Sequence, residues 1–225
     1  MPTPIEYKAA FRPNRFYHIV CKSIDGLMLF RESADYLTFM KRFSQFTQPF
    51  LDVWSYSLLS NHTHHVSKIK SVEAIARYID QSENIIPTLA MKSFLHDPKN
   101  ESVFDSMIER QMNSMLVSYA NYYNNKYQRK GGLFQSPFRR TDIHDDSYLQ
   151  QAIIYVNANA QKHHLIRDFK DYPYSSYKTV TMNDDKYVNT EAVLQFFGGV
   201  EKFISLHESQ VDYYYSGGWP SSKLE

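Results

Sequence analysis

Apolar residues recur along this chain with two periods, about 2 and about 3.6 residues, and the switches between them mark out the elements. The run FYHIVCKS at 16–23 is aromatic and β-branched and reads as a strand; Asp25-Gly26 supplies a turn, and Leu27 to Phe30 starts a short return strand. Ser33 reads as the N-cap of a helix in which Tyr36, Leu37, Met40, Phe43 and Phe46 recur at helical spacing, ending near Thr47 before Pro49. Two strands follow, Val53 to Leu59 and Thr63 to Ile69, and Ser71 then caps a second helix with Val72, Ile75, Ala76 and Ile79 on one face.

From 84 to 100 the periodicity fails, Pro87 and Pro98 intervene, and the segment reads as an insertion with a short helix around Leu89 to Leu95. A long stripe resumes with Phe104, Met107, Ile108, Met112, Met115, Leu116, Tyr119 and Tyr122, a Met-rich face suited to a core, and Gly131-Gly132 ends it. LFQSPFRRTDI at 133–143 is extended, with Pro137 marking an edge or bulge. The next helix, capped by Asp146 or Ser147, turns Leu149, Ile153, Val156 and Ala160 inward, while Tyr155 and Asn159 lie one turn apart on another face. DYPYSSY at 171–177 is turn-rich, Thr190 to Phe197 and Val200 to Ser209 read as short helices hinged at Gly198-Gly199, and the tail after Tyr215 reads as loose.

The corner between the two middle strands concentrates the chemistry. Ser60, Asn61 and His62 form a short polar break of the kind that joins antiparallel strands. Side chains alternate along a strand, so His62 and His64 project from one face and Thr63 and His65 from the other. A His-x-His pair on rigid backbone supplies two nitrogen ligands for a divalent ion and leaves positions for carboxamide, water or substrate oxygen. A solvent-facing or hydrogen-bonded histidine pair is the plain alternative. His65, His163 and His164 read as ordinary surface or capping histidines, with His163 the substitute ligand should Asn159 be displaced.

Composition narrows the picture without deciding it. The 225 residues suit one main domain, and 43% hydrophobic with 22% charged residues are globular values. A net charge of +1 and a pI near 7.8 exclude a global basic field, so any nucleic-acid contact has to be local. One cysteine, no signal-like N-terminus and no long apolar run point to a reducing, cytoplasmic setting with no membrane partner. The 18 Tyr and 15 Phe offer stacking surfaces but serve equally as core material. Lys126, Arg129, Lys130, Arg139 and Arg140 gather around Gly131-Gly132 with Tyr122, Tyr123, Tyr127 and Phe134 interleaved, a mix suited to a single-stranded backbone and stacked bases.

FYHIVCKSIDGLMLF, LLSNHTHH, YYNNKYQRKGGLFQSPFRR, YLQQAIIYVNANAQKHHLI and DYPYSSY, taken together, resemble the IS200-like single-tyrosine HUH transposases, and more closely their REP-associated tyrosine transposase relatives. The resemblance covers roughly residues 14 to 180, and 189–208 resembles the C-terminal extension of that family. It implies an α+β fold: a ferredoxin-like antiparallel sheet with helices on one side, in a domain over 1–180 with an insertion at about 84–100, then a C-terminal helical extension and tail over 181–225. It also implies roles. His62, His64 and Asn159 become ligands of Mg²⁺ or Mn²⁺, and Tyr155 becomes the nucleophile that cleaves single-stranded DNA through a 5′-phosphotyrosine and transfers the strand.

The expected partner is single-stranded DNA in hairpin or palindromic elements. A monomer is favoured, with a homodimer as the alternative. Two rival readings stand beside this one: a domesticated, non-catalytic hairpin-binding protein, and a metal-dependent phosphodiester hydrolase with a water nucleophile. The chain departs from the family pattern at Thr63 and His65, and Asn159-Ala160-Gln161 stands where the family often has Asn-Pro-Val.

Overall fold

In the computed structural model, which describes residues 8–82, 86–184 and 186–213, the strands are β1 (Phe16–Lys22), β2 (Leu51–Leu58), β3 (His62–Ile69) and β4 (Arg139–Ile143). They form one antiparallel sheet in the order β2-β3-β1-β4, the ferredoxin-like arrangement, with β1 and β3 in the centre. Register decides which side chains meet. Val20 stands opposite His64 on one side and Arg139 on the other, His18 opposite Val66, and Lys22 opposite His62. His18, Val20, Lys22, His62 and His64 therefore share one face, and Ile19, Cys21, Thr63 and His65 the other.

The second face carries α1 (Ser33–Thr47) and α4 (Glu101–Lys126). His65 stacks on Phe43 at 4.1 Å between ring centroids, and Tyr119 of α4 packs on Phe39 of α1 at 5.1 Å. The histidine face carries α5 (Asp146–Lys162), whose Tyr155 ring lies 5.8 Å from that of His64. Helices thus cover both sides of the sheet rather than the one expected, because the central strands are buried on both faces and each face needs a partner.

Every residue of α5 from Ala152 to Ala160 is buried. The sheet covers one flank, and α8 (Val200–Tyr213) together with a single helical turn at Phe169–Asp171 covers much of the rest. Asn157 ties these layers together. Its Oδ1 accepts from Ser176 at the start of α6 (Ser176–Thr181) at 2.6 Å and from Ser55 of β2 at 3.3 Å, and its Nδ2 donates to His207 Nε2 at 3.0 Å. His207 Nδ1 in turn donates to the Phe203 carbonyl at 2.7 Å. The C-terminal extension is therefore bonded directly to the helix that bears Tyr155. It includes α7 (Thr190–Phe197), capped by Asn189 and closed by Gly198 in the left-handed region.

Local signals hold well elsewhere. Ser71 caps α2 (Val72–Gln81), Thr88 caps α3 (Leu89–His96), and α3 packs on α4 through Phe94 and Phe104. Five readings change. Leu27 to Phe30 is not a return strand: β3 and β4 occupy both edges of β1, and the Leu29 N–H donates instead to the Ser60 carbonyl. Glu32 rather than Ser33 caps α1, and Asp145 rather than Asp146 or Ser147 caps α5, accepting from the Tyr148 N–H at 2.7 Å. α4 ends at Lys126, ahead of Gly131-Gly132, and β4 starts only at Arg139, past the cis Ser136–Pro137 bond. The tail after Tyr215 lies outside the described residues.

Candidate functional site

His62 opens β3 and is half-buried, whereas His64, Tyr155 and Asn159 are essentially closed to solvent, with Tyr155 and His64 each 1% exposed. The rings of His62 and His64 are 5.0 Å apart, and His163, at the C-terminal end of α5, lies 5.1 Å from His62. Asn159 sits one turn after Tyr155 and one turn before His163, and both of those touch the strand imidazoles. Asn159 therefore lies on the same face of α5 as those two. α5 runs on through Lys162 because Ala160 stands where a proline would have ended it.

Unpartnered polar atoms cluster here. His64 Nε2, both amide atoms of Asn159 and the hydroxyl of Ser57, the cross-strand neighbour of His64, are buried with no hydrogen bond. A buried polar atom without a partner costs about 1–3 kcal/mol, so several in one place mark a site built for something else to fill.

The Nδ1 atoms of both histidines are engaged. His62 Nδ1 donates to Asn61 Oδ1 at 2.7 Å, since a carboxamide oxygen only accepts; this leaves the lone pair of His62 on Nε2. His64 Nδ1 lies 2.9 Å from Nε2 of His18, which is buried beside it. Two imidazole nitrogens and an amide oxygen, all neutral, form a donor set that fits Mn²⁺ or Mg²⁺, with water or phosphate oxygens completing the shell. Among the described residues no three His, Cys, Asp or Glu side chains group as metal ligands, so a metal held here would need a protein donor of another type, such as the Asn159 carboxamide.

The field at the site has one sign. Burial first, then repulsion from His163, Lys22 and Lys162, pushes the His62 imidazole down to about 3. Burial and the neighbouring bases His18, His62, Lys22 and His163 hold His64 well below the usual range, and burial takes His18 to about 3. All three are neutral at physiological pH, as metal ligation and lone-pair donation require. Lys162 Nζ lies 3.5 Å from the Tyr155 hydroxyl and 4.9 Å from the centre of its ring. Arg139 stands on this face across Val20.

The five cations read from the sequence do not form one patch. Arg140 is 7% exposed, pairs with Glu109 at 3.0 Å and Asp105 at 3.2 Å, donates to the Ala9 carbonyl and lies over Phe11. Lys126 is held by Asp35 at 2.5 Å and Glu32 at 2.7 Å. Both spend their charge inside the fold, because α4 brings carboxylates or their partners to them. Arg129 shapes the turn through Asn124 and the Gly131 carbonyl, Lys130 is exposed, and only Arg139 reaches the histidine face. Arg140→Ala is expected to lower stability by about 3 kcal/mol, by removing the buried cation that Asp105 and Glu109 share. Urea unfolding measures the effect.

His65 is a core residue, and His164 is exposed past the helix end. Tyr148 lies two turns before Tyr155, against His144. His18, Lys22 and Lys162 were not legible as site residues. The available signal was a histidine in the interior of an otherwise apolar strand, in phase with Val20.

No protein-family model matches the chain, and no curated protein matches it. Among solved structures it is similar to a REP-associated tyrosine transposase bound to a REP hairpin, with a TM-score of 0.51 and 12% identity, over 79% of this chain and 85% of that one. The likeness is one of fold. It establishes a distant structural relationship over most of both chains, and with it the arrangement of sheet and helices that carries the histidine face. Among the described residues no helix is long and apolar enough to cross a membrane.

Proposed function

We propose that this protein cleaves single-stranded DNA beside a hairpin and transfers the strand, with Tyr155 as nucleophile and His62, His64 and Asn159 as the ligands of Mg²⁺ or Mn²⁺. The observation that carries this reading is the group of unpartnered buried atoms, His64 Nε2 and the Asn159 amide, next to a tyrosine hydroxyl and inside a ring of bases. The bound ion would polarise the phosphate and offset developing negative charge.

The chain's own groups do the rest. Tyr155 Oη bonds to phosphorus, its proton leaves, and the bond from phosphorus to the 3′ oxygen breaks. That oxygen takes up a proton to become a free 3′-OH, and the 5′ side remains on the tyrosine. Because the phosphotyrosine conserves the bond, a 3′-OH can attack it and rejoin the strand. Lys162 steadies negative charge on the phenol oxygen as the proton departs, and Lys22 and Arg139 draw the phosphodiester towards the histidines. No protein carboxylate is among the three residues that would hold the ion, so a substrate phosphate would supply its anionic oxygen.

A pool of hairpin oligonucleotides with randomised flanks, incubated with the protein and Mn²⁺, is expected to give a denaturation-resistant adduct carrying the 5′ end of the cleaved strand. Cleavage without adduct would assign a water nucleophile. A second reading has one observation in its favour: Tyr155 is 1% exposed and covered by Lys162, as a packing tyrosine in a non-catalytic hairpin-binding protein would be. Hairpin binding with neither cleavage nor adduct would establish it.

Tyr155 lies over the histidines of its own chain, which supports a monomer as the working unit. Mixing inactive Tyr155→Phe with inactive His64→Ala chains is expected to restore no cleavage. Recovered cleavage would demand a site shared between two chains.

A further inference from the structure

The hydrogen bond between His18 and His64 can be arranged in two ways. Either His18 Nε2 carries the proton and donates, leaving His64 with N–H at Nε2 and useless as a ligand, or His64 donates from Nδ1 and keeps its lone pair at Nε2. We propose the second arrangement: His18 is a positioning residue that accepts from His64 and so holds the His64 lone pair towards the space shared with His62 and Asn159.

Three observations carry this. The His64 Nε2 atom is buried and unpartnered, so an N–H there would have no acceptor. Lys22 stands opposite His62 on the same face of the sheet, and a fixed positive charge beside the pair favours the tautomer that turns a lone pair outward and an N–H inward. His62 already has this form, imposed by Asn61, so the pair becomes symmetric: each Nδ1 anchored by a fixed acceptor, each Nε2 available. His18 reaches His64 because β1 and β3 are neighbours and His18 is one diagonal step from the Val20–His64 pair, with the two rings stacked at 14°. Outer partners of this kind orient ligand rings and raise their basicity, and losing one typically costs 10- to 100-fold in metal affinity.

The inference rests on the metal reading proposed above, but one of its tests does not. Long-range ¹⁵N–¹H spectra of the full chain at neutral pH, without metal, are expected to show His64 protonated at Nδ1 and bare at Nε2. The opposite tautomer would overturn the proposal. Mn²⁺ binding, followed by loss of the free-ion resonance, is expected to weaken about 10- to 100-fold in His18→Leu. In His18→Gln, whose Oε1 can accept the same bond, it should stay within about threefold of the parent protein. Equal Mn²⁺ affinity in His18→Leu and the parent would also overturn the role. Should His18→Leu fail to fold, His18→Asn, polar but too short to reach Nδ1, takes its place with the same expected loss. Mn²⁺ binding that is indifferent to His64→Ala would remove the metal reading, and the tautomer spectrum then decides the His18–His64 bond by itself.

Discussion

Tyr155→Phe is expected to abolish the covalent adduct and to reduce strand cleavage by at least about 10⁴-fold, the scale on which removal of a nucleophile acts. Only one oxygen is lost. The ring keeps its contacts with His64 at 5.8 Å and His18 at 6.1 Å, so the fold and the hairpin affinity should stay close to those of the parent protein. The hydrogen bond between the hydroxyl and Lys162 is long, 3.5 Å, and its loss is too small to be a folding defect. The measurement is a denaturing gel of end-labelled hairpin DNA with Mn²⁺, alongside a gel-shift titration of the same variant. An adduct that persists in Tyr155→Phe would move the role to another tyrosine, Tyr148 first. Loss of hairpin binding together with the adduct would make Tyr155 a structural residue.

Acid is expected to unfold this protein at an unusually mild pH. Burial holds the imidazoles of His18, His65 and His207 at about 3, and burial with neighbouring bases holds His64 well below the normal 6.5. The unfolded chain therefore binds protons that the folded chain refuses, and stability present above pH 6.5 falls as the pH drops towards 3. At pH 5.5 each such histidine costs about 1.4 kcal/mol, and the four fully buried ones together cost about 6, comparable with the whole stability of a domain. Asp35 does not explain a loss in this window. Its carboxyl is held at about 2: burial alone would raise it, but Lys126, Tyr127, the Arg31 N–H and Tyr122 more than offset that. Thermal melts from pH 7.5 to 5 should show a steep decline, with about four protons taken up on unfolding; a flat profile across this range would contradict it.

The order of elements was legible because each carries its own local chemistry. Ser71 caps a helix wherever it stands, a two-residue alternation makes a strand, and His62 and His64 must share a face because the period of a strand is two. Tyr155 and Asn159 are one helical turn apart for the same kind of reason. These are short-range rules, and they brought β3 and α5, which carry all four proposed site residues, into view before any contact was known.

What lies between elements was not legible. Arg140 and Lys126 look like DNA-binding cations in a row of basic and aromatic residues; only the packing of α4 against β4 and α1 reveals Asp105, Glu109, Asp35 and Glu32 beside them. Leu27 to Phe30 has the apolar content of a strand, yet a strand needs a free edge, and which edges of β1 are free is settled by β3 and β4. His18 lies 46 residues before His64 and Lys162 lies 100 after His62, so no spacing in the chain links them to the site. Periodicity reports which way a side chain points and says nothing of what it meets. The partner of a buried group is set by sheet order, strand register and the seating of α5, and these come from burying both faces of one sheet at once.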